Sequence, residues 1–321
     1  MDLKQLRALL TVAETGSVTR AAELLHLVQP AVSRQLALLE KELDAPLFHR
    51  GRHGMVLTEQ GETLCGYARR ALLELDRARA EIAGKSHGIG GLVTLGLLPS
   101  TCDLLSGPLV TALAQAYPGI RLRIATAYAG TLTQWLASGE VDAALLYGAP
   151  RTPDIQITPL IDESLWVLGP ASAKLRPNRP KSLKSLIGKP MILPSAPHGI
   201  RTLVDQACAL AKIELTITAE TNVMSVQKSL AIEGHGLTIL PAIAIADDLA
   251  RKTVSAAPLC DPVINRTIVL ALPTTRVIGR HVHAAVDLLI QCMENATKRG
   301  DWFGARWVYA HGPSQREGAA A

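Results

Sequence analysis

A proline inside an otherwise helical segment constrains this chain more than any other sequence feature. Residues 26–43 read HLVQPAVSRQLALLEKEL. Their apolar positions recur at spacings of four, three and four residues, which places them on one helical face: Val32, Leu36, Leu39 and Leu43. Pro30 is tolerated at the first helical position because the N–H that it lacks would have no partner there. We therefore predict a helix from Pro30 to Leu43 whose polar face begins with Gln29, Ser33 and Arg34.

Short helices and a basic hairpin surround this segment. The pattern predicts a helix over residues 2–15, a second over 19–26 with Ser17 or Thr19 as its N-cap, and then a three-residue connection. Two short helices joined so closely form a helix-turn-helix, whose second helix can enter a DNA major groove. Residues 44–61, DAPLFHRGRHGMVLTEQG, have strand-like ends and a basic tip, which suits a wing that contacts phosphates. The alternative to a DNA-binding surface is that Gln29, Ser33 and Arg34 form an ordinary solvated helix face.

These segments resemble the LysR-type transcriptional regulators in order and spacing. The matching stretches are LRALLTVAETGSVTRAAELLH, QPAVSRQLALLEKEL, PLFHR and LTEQGE. The resemblance implies an α/β chain with an α-rich N-terminal module: a winged helix-turn-helix at 1–58, a linker helix and hinge at 59–90, and a two-lobed effector domain shaped like a periplasmic binding protein at 91–300. It implies a sequence-specific regulator that binds double-stranded promoter DNA. The predicted DNA-contacting residues are Arg20, Gln29, Pro30, Ser33, Arg34, Arg50, Arg52 and His53.

Val28 departs from the family pattern, which usually carries Ser or Thr just before the Gln-Pro pair. A hydroxyl at this position would cap the recognition helix and could bond a phosphate, and losing such a cap typically costs about 1 kcal/mol. Either the affinity for DNA is weaker in this chain, or neighbours such as Gln29 compensate. In the alternative interpretation, Val28 packs against the second helix and the hydroxyl is dispensable.

A heptad seam follows the predicted wing. Thr58 is the N-cap candidate of a helix over residues 59–84. Its apolar residues alternate at spacings of four and three: Leu64, Ala68, Ala71, Leu75, Ala78 and Ile82. Because a long helix with one narrow apolar stripe needs a partner, we predict a dimer through this helix, and a tetramer built by further effector-domain contacts. The alternative is a helix packed on its own chain. Residues 84–91, GKSHGIGG, have the composition of a hinge.

From Leu92 onward, strands and helices alternate, which implies β-α-β units with parallel strands. By resemblance, the first lobe covers about 91–161 and 266–300, and the second lobe covers about 162–265. Ligands bind beyond the carboxyl ends of parallel strands, where free N–H groups and the helix dipole favour anions. A small organic effector, anionic or aromatic, is therefore expected between the lobes.

Three strand-to-helix junctions carry hydroxyls or glycine, at residues 99–101, 130–131 and 197–200. By resemblance, the effector-binding residues are Ser100, Thr101, Thr131, Tyr147, His198, Gly199 and Ile200. Other interpretations stay open: Ser100 and Thr131 only cap helices, or His198 is a loop residue. Arg201 could pair with an effector carboxylate or remain solvated.

Residues 301–321 form a predicted tail beyond the expected end of the fold. The tail holds Trp302 and Trp307, two of the four tryptophans of an aromatic-poor chain. Such a cluster should bury against a lobe or another subunit, whereas the last ten residues are expected to be disordered.

Composition narrows the protein class and compartment. The net charge of +5 is compatible with nucleic acid as a partner. No leader and no apolar run of membrane-spanning length is seen, so we expect a cytoplasmic protein without membrane contact. Five cysteines in no CxxC pattern predict no disulfide framework and no zinc site, and Cys208 lacks the nearby partner that a redox switch needs.

An enzyme on the two-lobed scaffold and a solute-binding receptor for transport are the rival functions. We find no catalytic triad spacing, phosphate loop, metal cluster or dinucleotide fingerprint, so we predict no enzyme activity and no cofactor apart from the effector. A transport receptor would need an export signal and would leave residues 1–90 unexplained. RNA polymerase is a further candidate partner of a regulator.

Overall fold

The computed structural model describes residues 1–51, 54–84, 88–148 and 152–309. The chain divides into two compact units, Met1–Gly91 with Ala137–Glu140, and Leu92–Leu136 with Val141–Ala321. We call them the N-terminal unit and the effector unit. Within the described ranges, no helix is both long enough and apolar enough to cross a membrane.

Four helices and a hairpin form the N-terminal unit. They are α1 (Leu3–Thr15), α2 (Val18–Leu24), α3 (Gln29–Leu43), β1 (Phe48–Gly51), β2 (Gly54–Leu57) and α4 (Glu59–Gly84). Asp2 and Gln5 form a capping box at the start of α1, and the Ser17 side chain caps α2. The Thr58 Oγ1 atom accepts a hydrogen bond from the N–H of Gly61 at 3.0 Å, which caps α4. The predicted winged helix-turn-helix is confirmed.

The wing is a two-stranded antiparallel hairpin in which Phe48 pairs with Leu57. Its second strand is tied to the turn after α1, because the Met55 N–H donates to the Gly16 carbonyl oxygen at 2.8 Å. Gly54 has a φ of +108°, and a Cβ atom there would lie 2.4 Å from that same carbonyl oxygen. Only glycine allows this close approach, so position 54 fixes how the wing meets the helices.

The apolar stripes of α1, α2, α3 and the start of α4 meet in one aliphatic core. Its fully or nearly buried members include Leu9, Val12, Ala21, Val32, Leu36, Leu39, Leu47, Cys65 and Ala68. At about 25 cal/mol per Å2 of apolar surface, each large member stabilises the unit by about 1.5–3 kcal/mol. Three residues of the predicted apolar face of the recognition helix, Val32, Leu36 and Leu39, therefore face the core. The fourth, Leu43, is 40% exposed, so the prediction is wrong at the end of the helix.

The heptad seam of α4 has two different environments. Ala68 is 1% exposed and belongs to this core, and Leu64 packs against it. Farther along the helix, Leu75 is 41% exposed, and Ala71 and Ala78 are exposed as well. The first part of the stripe thus packs on its own chain, as one interpretation expected, while the following part is uncovered in the single chain. The side chain of Ile82 lies outside the described residues.

The effector unit is a mixed sheet flanked by helices. Its first group of elements is β3 (Gly90–Leu97), α5 (Cys102–Ala116), β4 (Gly119–Thr126), α6 (Ala129–Ser138) and β5 (Ala143–Leu146). A long strand, β6 (Ile155–Pro170), leads to the second group: β7 (Lys181–Ser182), β8 (Pro190–Leu193), α7 (Gly199–Ala211), β9 (Thr216–Glu220), α8 (Met224–Ile232), β10 (Leu237–Pro241), α9 (Ala246–Ala250) and β11 (Val254–Cys260). The chain returns through β12 (Asn265–Pro273), α10 (Arg280–Arg299) and β13 (Ala305–Trp307).

Strand β6 runs through both groups and joins them. Its first part pairs with β12, and its last part pairs with β10 and β11. Strand β3 is parallel to β5, and β8 is parallel to β9 and β10, as the β-α-β pattern predicts. The pairings of β6 and β12 are antiparallel, which alternation of strands and helices does not reveal.

The first part of the predicted C-terminal tail belongs to the fold, so the expectation of a tail starting at residue 301 is wrong there. Strand β13 extends the sheet by pairing with β6, and Trp302 is only 2% exposed. The Phe303 ring packs on Trp166 with their centroids 4.7 Å apart. The aromatic cluster therefore buries against its own chain. Residues 310–321 lie outside the described part of the chain.

Candidate functional site

The N-terminus of α3 presents the polar residues that the sequence singled out. Gln29, Pro30 and Arg34 are exposed, and Ser33 is half-buried. The Gln29 Nε2 atom donates to Ser33 Oγ at 3.4 Å, so the two side chains form one polar edge. An exposed helix start of this kind matches the part of a recognition helix that contacts bases.

A groove of about 280 Å3 separates this helix start from the wing. Its walls come from the turn before α2, from α3 and from the hairpin, and are formed by Gly16, Ser17, Val18, Gln29, Ser33, Gly51, Gly54 and Met55. Arg20 is exposed on α2. Arg50 lies on β1, but its side chain is outside the described part of the chain, as are Arg52 and His53.

Val28 is the N-cap residue of α3 and has an extended backbone, but its side chain forms no capping hydrogen bond. It is 71% exposed, so the interpretation in which Val28 packs against the second helix is wrong. Two nearby leucines are also exposed: Leu24, the last residue of α2, at 62%, and Leu27, in the turn that follows, at 42%. The recognition helix therefore starts without a side-chain cap, beneath an uncovered apolar side chain.

The effector unit contains a cleft with two chambers. The inner chamber has a volume of about 20 Å3, room for about one water molecule, and Ser100, Tyr147, His198 and Ile200 line it together with Arg266. The outer chamber has a volume of about 740 Å3 and is lined by the starts of α6 and α7 and by β12. Tyr147 and Arg266 line both chambers.

Most of the predicted effector-binding residues meet at this cleft. Gly199 lines the outer chamber, where a Cβ atom would come within 2.5 Å of the Tyr147 ring. Thr101 and Thr131 do not line either chamber. Thr101 is fully buried and its Oγ1 atom donates to the Leu98 carbonyl oxygen at 3.0 Å, whereas Thr131 is exposed. Thr101 therefore stabilises a turn, and Thr131 lies at the surface.

Arg266 is the centre of the cleft, and the sequence patterns did not identify it. Its side chain is 3% exposed and forms an ion pair with Glu163, which is 0% exposed. Its Nη2 atom also donates to Ser100 Oγ at 2.7 Å, and its guanidinium lies 4.7 Å from the centre of the Tyr147 ring. Trp302 Nε1 donates to the other Glu163 oxygen at 2.9 Å, so the aromatic segment completes this buried network.

Two titratable rings flank Arg266. Burial raises the pKa of the Tyr147 hydroxyl although the Arg266 charge opposes that change, so the phenol stays protonated. Burial, and then the Arg266 charge, lower the pKa of His198 from 6.5 to about 4. The His198 Nδ1 atom accepts from the Ile200 N–H at 3.2 Å. The neutral ring therefore carries its proton on Nε2 and can act as a donor.

Other candidates have structural partners. Arg201 donates to Asp205 at 2.9 Å and pairs with Glu220, and it lines neither chamber of the cleft. Burial raises the pKa of the Cys208 thiol, which is the reverse of what a redox-sensing thiolate needs. Among the described residues, no group of His, Cys, Asp and Glu could hold a metal ion.

Comparison with known proteins identifies both units. Residues 3–62 match the family model of the bacterial regulatory helix-turn-helix protein, lysR family, and residues 86–294 match that of the LysR substrate binding domain. The HTH-type transcriptional regulator BbuR of Bordetella bronchiseptica is 29% identical over 306 residues, which cover 95% of this chain and 94% of BbuR.

Solved structures share the fold. Full-length CbnR, complexed with its target DNA, has a TM-score of 0.71 at 20% identity. The alignment covers 92% of this chain and 100% of the CbnR chain. The effector binding domain of QuiR in complex with shikimate has a TM-score of 0.58 at 21% identity, covering 64% of this chain and 98% of that one. This chain therefore belongs to the LysR family of transcriptional regulators, which bind DNA through an N-terminal helix-turn-helix and carry an effector-binding domain.

Proposed function

We propose that this chain regulates transcription at specific promoter sequences, and that a small cyclic or aromatic organic acid bound between the two lobes controls that activity. In this proposal, residues 1–58 bind DNA, residues 59–90 pair two chains, and residues 91–300 bind the effector. A tetramer, a cytoplasmic location and contact with RNA polymerase are parts of the same proposal.

The observation that carries the effector proposal is the wall shared by the two chambers. Arg266 supplies guanidinium N–H donors and Tyr147 supplies an aromatic face at one place. Guanidinium groups match carboxylates in geometry and charge, and aromatic rings pack against planar ligands. A ligand that is both cyclic and acidic uses both groups.

Chamber size decides where such a ligand would lie. A volume of about 20 Å3 cannot hold a six-membered ring, whereas about 740 Å3 falls within the usual range of small-molecule pockets. We therefore place the ring in the outer chamber and its carboxylate toward Arg266. Occupation of the inner chamber would require the lobes to move apart.

The charges around the cleft favour one anionic group rather than several. Glu163 already neutralises Arg266, and His198 is uncharged at neutral pH because its pKa is about 4. The remaining attraction comes from N–H groups at the starts of α6 and α7, whose first residues, Ala129 and Gly199, line the outer chamber. A monocarboxylate fits this field better than a dicarboxylate.

A thermal-shift screen tests the effector proposal with shikimate and benzoate as probes and their neutral amides as controls. At about 100 times Kd, a ligand stabilises the folded state by about 2.7 kcal/mol, so the acids should raise Tm by several degrees. Ser100→Ala should weaken this response, whereas Thr131→Ala, at an exposed position outside the cleft, should not. Equal shifts with acids and amides would contradict an anionic effector.

The DNA part of the proposal is supported by the exposed polar edge at the start of α3. A matched pair of variants tests it: Arg34→Ala near the start of the helix, and Lys41→Ala near its end. On a duplex selected by the wild-type protein from a random pool, Arg34→Ala should cost about 1–3 kcal/mol of binding free energy. Lys41→Ala should bind like the wild type. Equal affinity of both variants and the wild type in gel-shift titrations would reject the assignment.

A further inference from the structure

The second lobe carries a concentration of positive charge that neither the recognition helix nor the effector cleft uses. From Ser164 to Val204 the chain has no Asp or Glu. Six cations lie in a short segment of this stretch: Lys174, Arg176, Arg179, Lys181, Lys184 and Lys189. The formal net charge of the chain is +5, and without these six residues it would be −1. We call them the second-lobe basic surface.

The segment that carries these cations is anchored. Leu183 and Leu186 are fully buried and Leu175 is 8% exposed, so apolar side chains hold the segment on the lobe. Strand β7 pairs with β11, where Lys181 lies opposite Leu259. Five of the six cations are exposed, and Lys181 is half-buried. The charges are therefore displayed at fixed backbone positions.

Two arginines face each other at the tip of this segment. Arg176 and Arg179 form an isolated antiparallel bridge, and the Arg179 N–H donates to the Arg176 carbonyl oxygen at 3.0 Å. Like charges directly opposite on paired backbones repel and destabilise the pair. No ion pair joins any of the six cations to an acid in the described part of the chain, whereas Arg201 and Lys228 of the same lobe are paired. An anionic partner would relieve this repulsion.

We propose that the second-lobe basic surface binds the phosphate backbone of duplex DNA outside the bases read by the recognition helix. Backbone binding requires only Lys and Arg side chains at a surface, and it is independent of sequence. A protein partner would instead be expected to meet aromatic and apolar anchors at the centre of its interface. Residues 167–197 contain no Phe, Trp or Tyr, and Ile187 is the one large hydrophobic of this segment that is strongly exposed, at 53%.

The test uses the full chain and a mixed-sequence duplex of about 60 base pairs, with Kd measured by fluorescence anisotropy over a range of salt concentrations. The variant is Arg176→Gln with Arg179→Gln. The matched control is Arg121→Gln with Arg123→Gln, which removes the same charge from two exposed positions on β4. Thermal unfolding should show no loss of stability in either variant, because all four side chains are exposed.

Removing two phosphate contacts should reduce the slope of log K against log salt by about 1.8, since each contact contributes about 0.9. At about 0.1 M salt, this corresponds to a loss of affinity of about tenfold or more. The control should keep the wild-type slope. An unchanged slope in the Arg176/Arg179 variant would overturn the proposal. Equal losses in variant and control would also overturn it, because net charge alone would then explain the effect.

Discussion

The α3 surface and the effector cleft differ in how far apart their residues lie in the chain. Gln29, Ser33 and Arg34 share two turns of one helix. The cleft instead brings together Ser100 and Arg266, which are 166 residues apart, and Arg266 and Glu163, which are 103 apart. Single substitutions on a surface built by one helix should leave the stability of the fold nearly unchanged, because each side chain is solvated by itself. A cleft built by distant segments couples ligand binding to the stability of the unit.

The largest effect that we expect concerns the pairing of two chains through α4. Leu75→Glu would place a carboxylate in the uncovered part of the α4 stripe, and each buried, unpaired charge in a paired helix costs several kcal/mol. Because a dimer would bury two of them, we expect dissociation at micromolar concentration by light scattering. Arg69→Glu, outside the seam on the same helix, is the control and should leave the assembly intact. A monomeric wild type would refute pairing through α4.

The second prediction concerns the coupling of distant segments in the effector unit. Arg266→Ala leaves Glu163 buried without its ion-pair partner, so the effector unit should lose about 3–5 kcal/mol of stability. Urea unfolding of the full chain should show this loss in the transition of the effector unit, while that of the N-terminal unit stays in place. If Arg266→Ala unfolds like the wild type, the network is not a stabilising element of the cleft.

The third prediction concerns the pH dependence of the stability of the effector unit. The folded pKa of His198 is about 4 against an ordinary value of 6.5, so the unfolded chain binds a proton first as pH falls. Stability of the effector unit should therefore decrease between about pH 6.5 and pH 4, by about 3 kcal/mol in total. His198→Gln should remove this part of the pH dependence. His235→Gln, at an exposed side chain, should leave it unchanged, and a wild-type slope in His198→Gln would contradict the assignment.

The smallest effect sharpens the comparison at a single cap. Val28→Ser places a hydroxyl at the start of α3, which has no side-chain cap, and this should raise the affinity for DNA by a few-fold to tenfold, about 1 kcal/mol. Val28→Ala removes the apolar side chain without adding a hydroxyl and should bind like the wild type. Gel-shift titrations at fixed salt compare the three proteins. Equal affinity of Val28→Ser and Val28→Ala would show that the hydroxyl has no role.

Local signals accounted for most of the fold. The helix-turn-helix, the wing and α4 could be located because caps, turns and helical periodicity act between residues a few positions apart. The same reasoning located α7. The resemblance to the LysR family, rather than local signals, supplied four of the residues that line the inner chamber: Ser100, Tyr147, His198 and Ile200. It missed Arg266 and Glu163, since a single arginine in a strand and a single glutamate in another form no sequence pattern.

By itself, the sequence determined the order of helices and strands, the apolar face of the recognition helix and the polar residues opposite it. Only the tertiary structure decided that Thr101 turns into the fold while Thr131 stays at the surface, that the stripe of α4 is half covered by its own chain, and that Trp302 closes the network around Glu163. The physical reason is the range of the interactions. Propensities and caps depend on neighbours along the chain, whereas a buried charge is stable only beside a partner that the crossing of β6 and β12 brings to it.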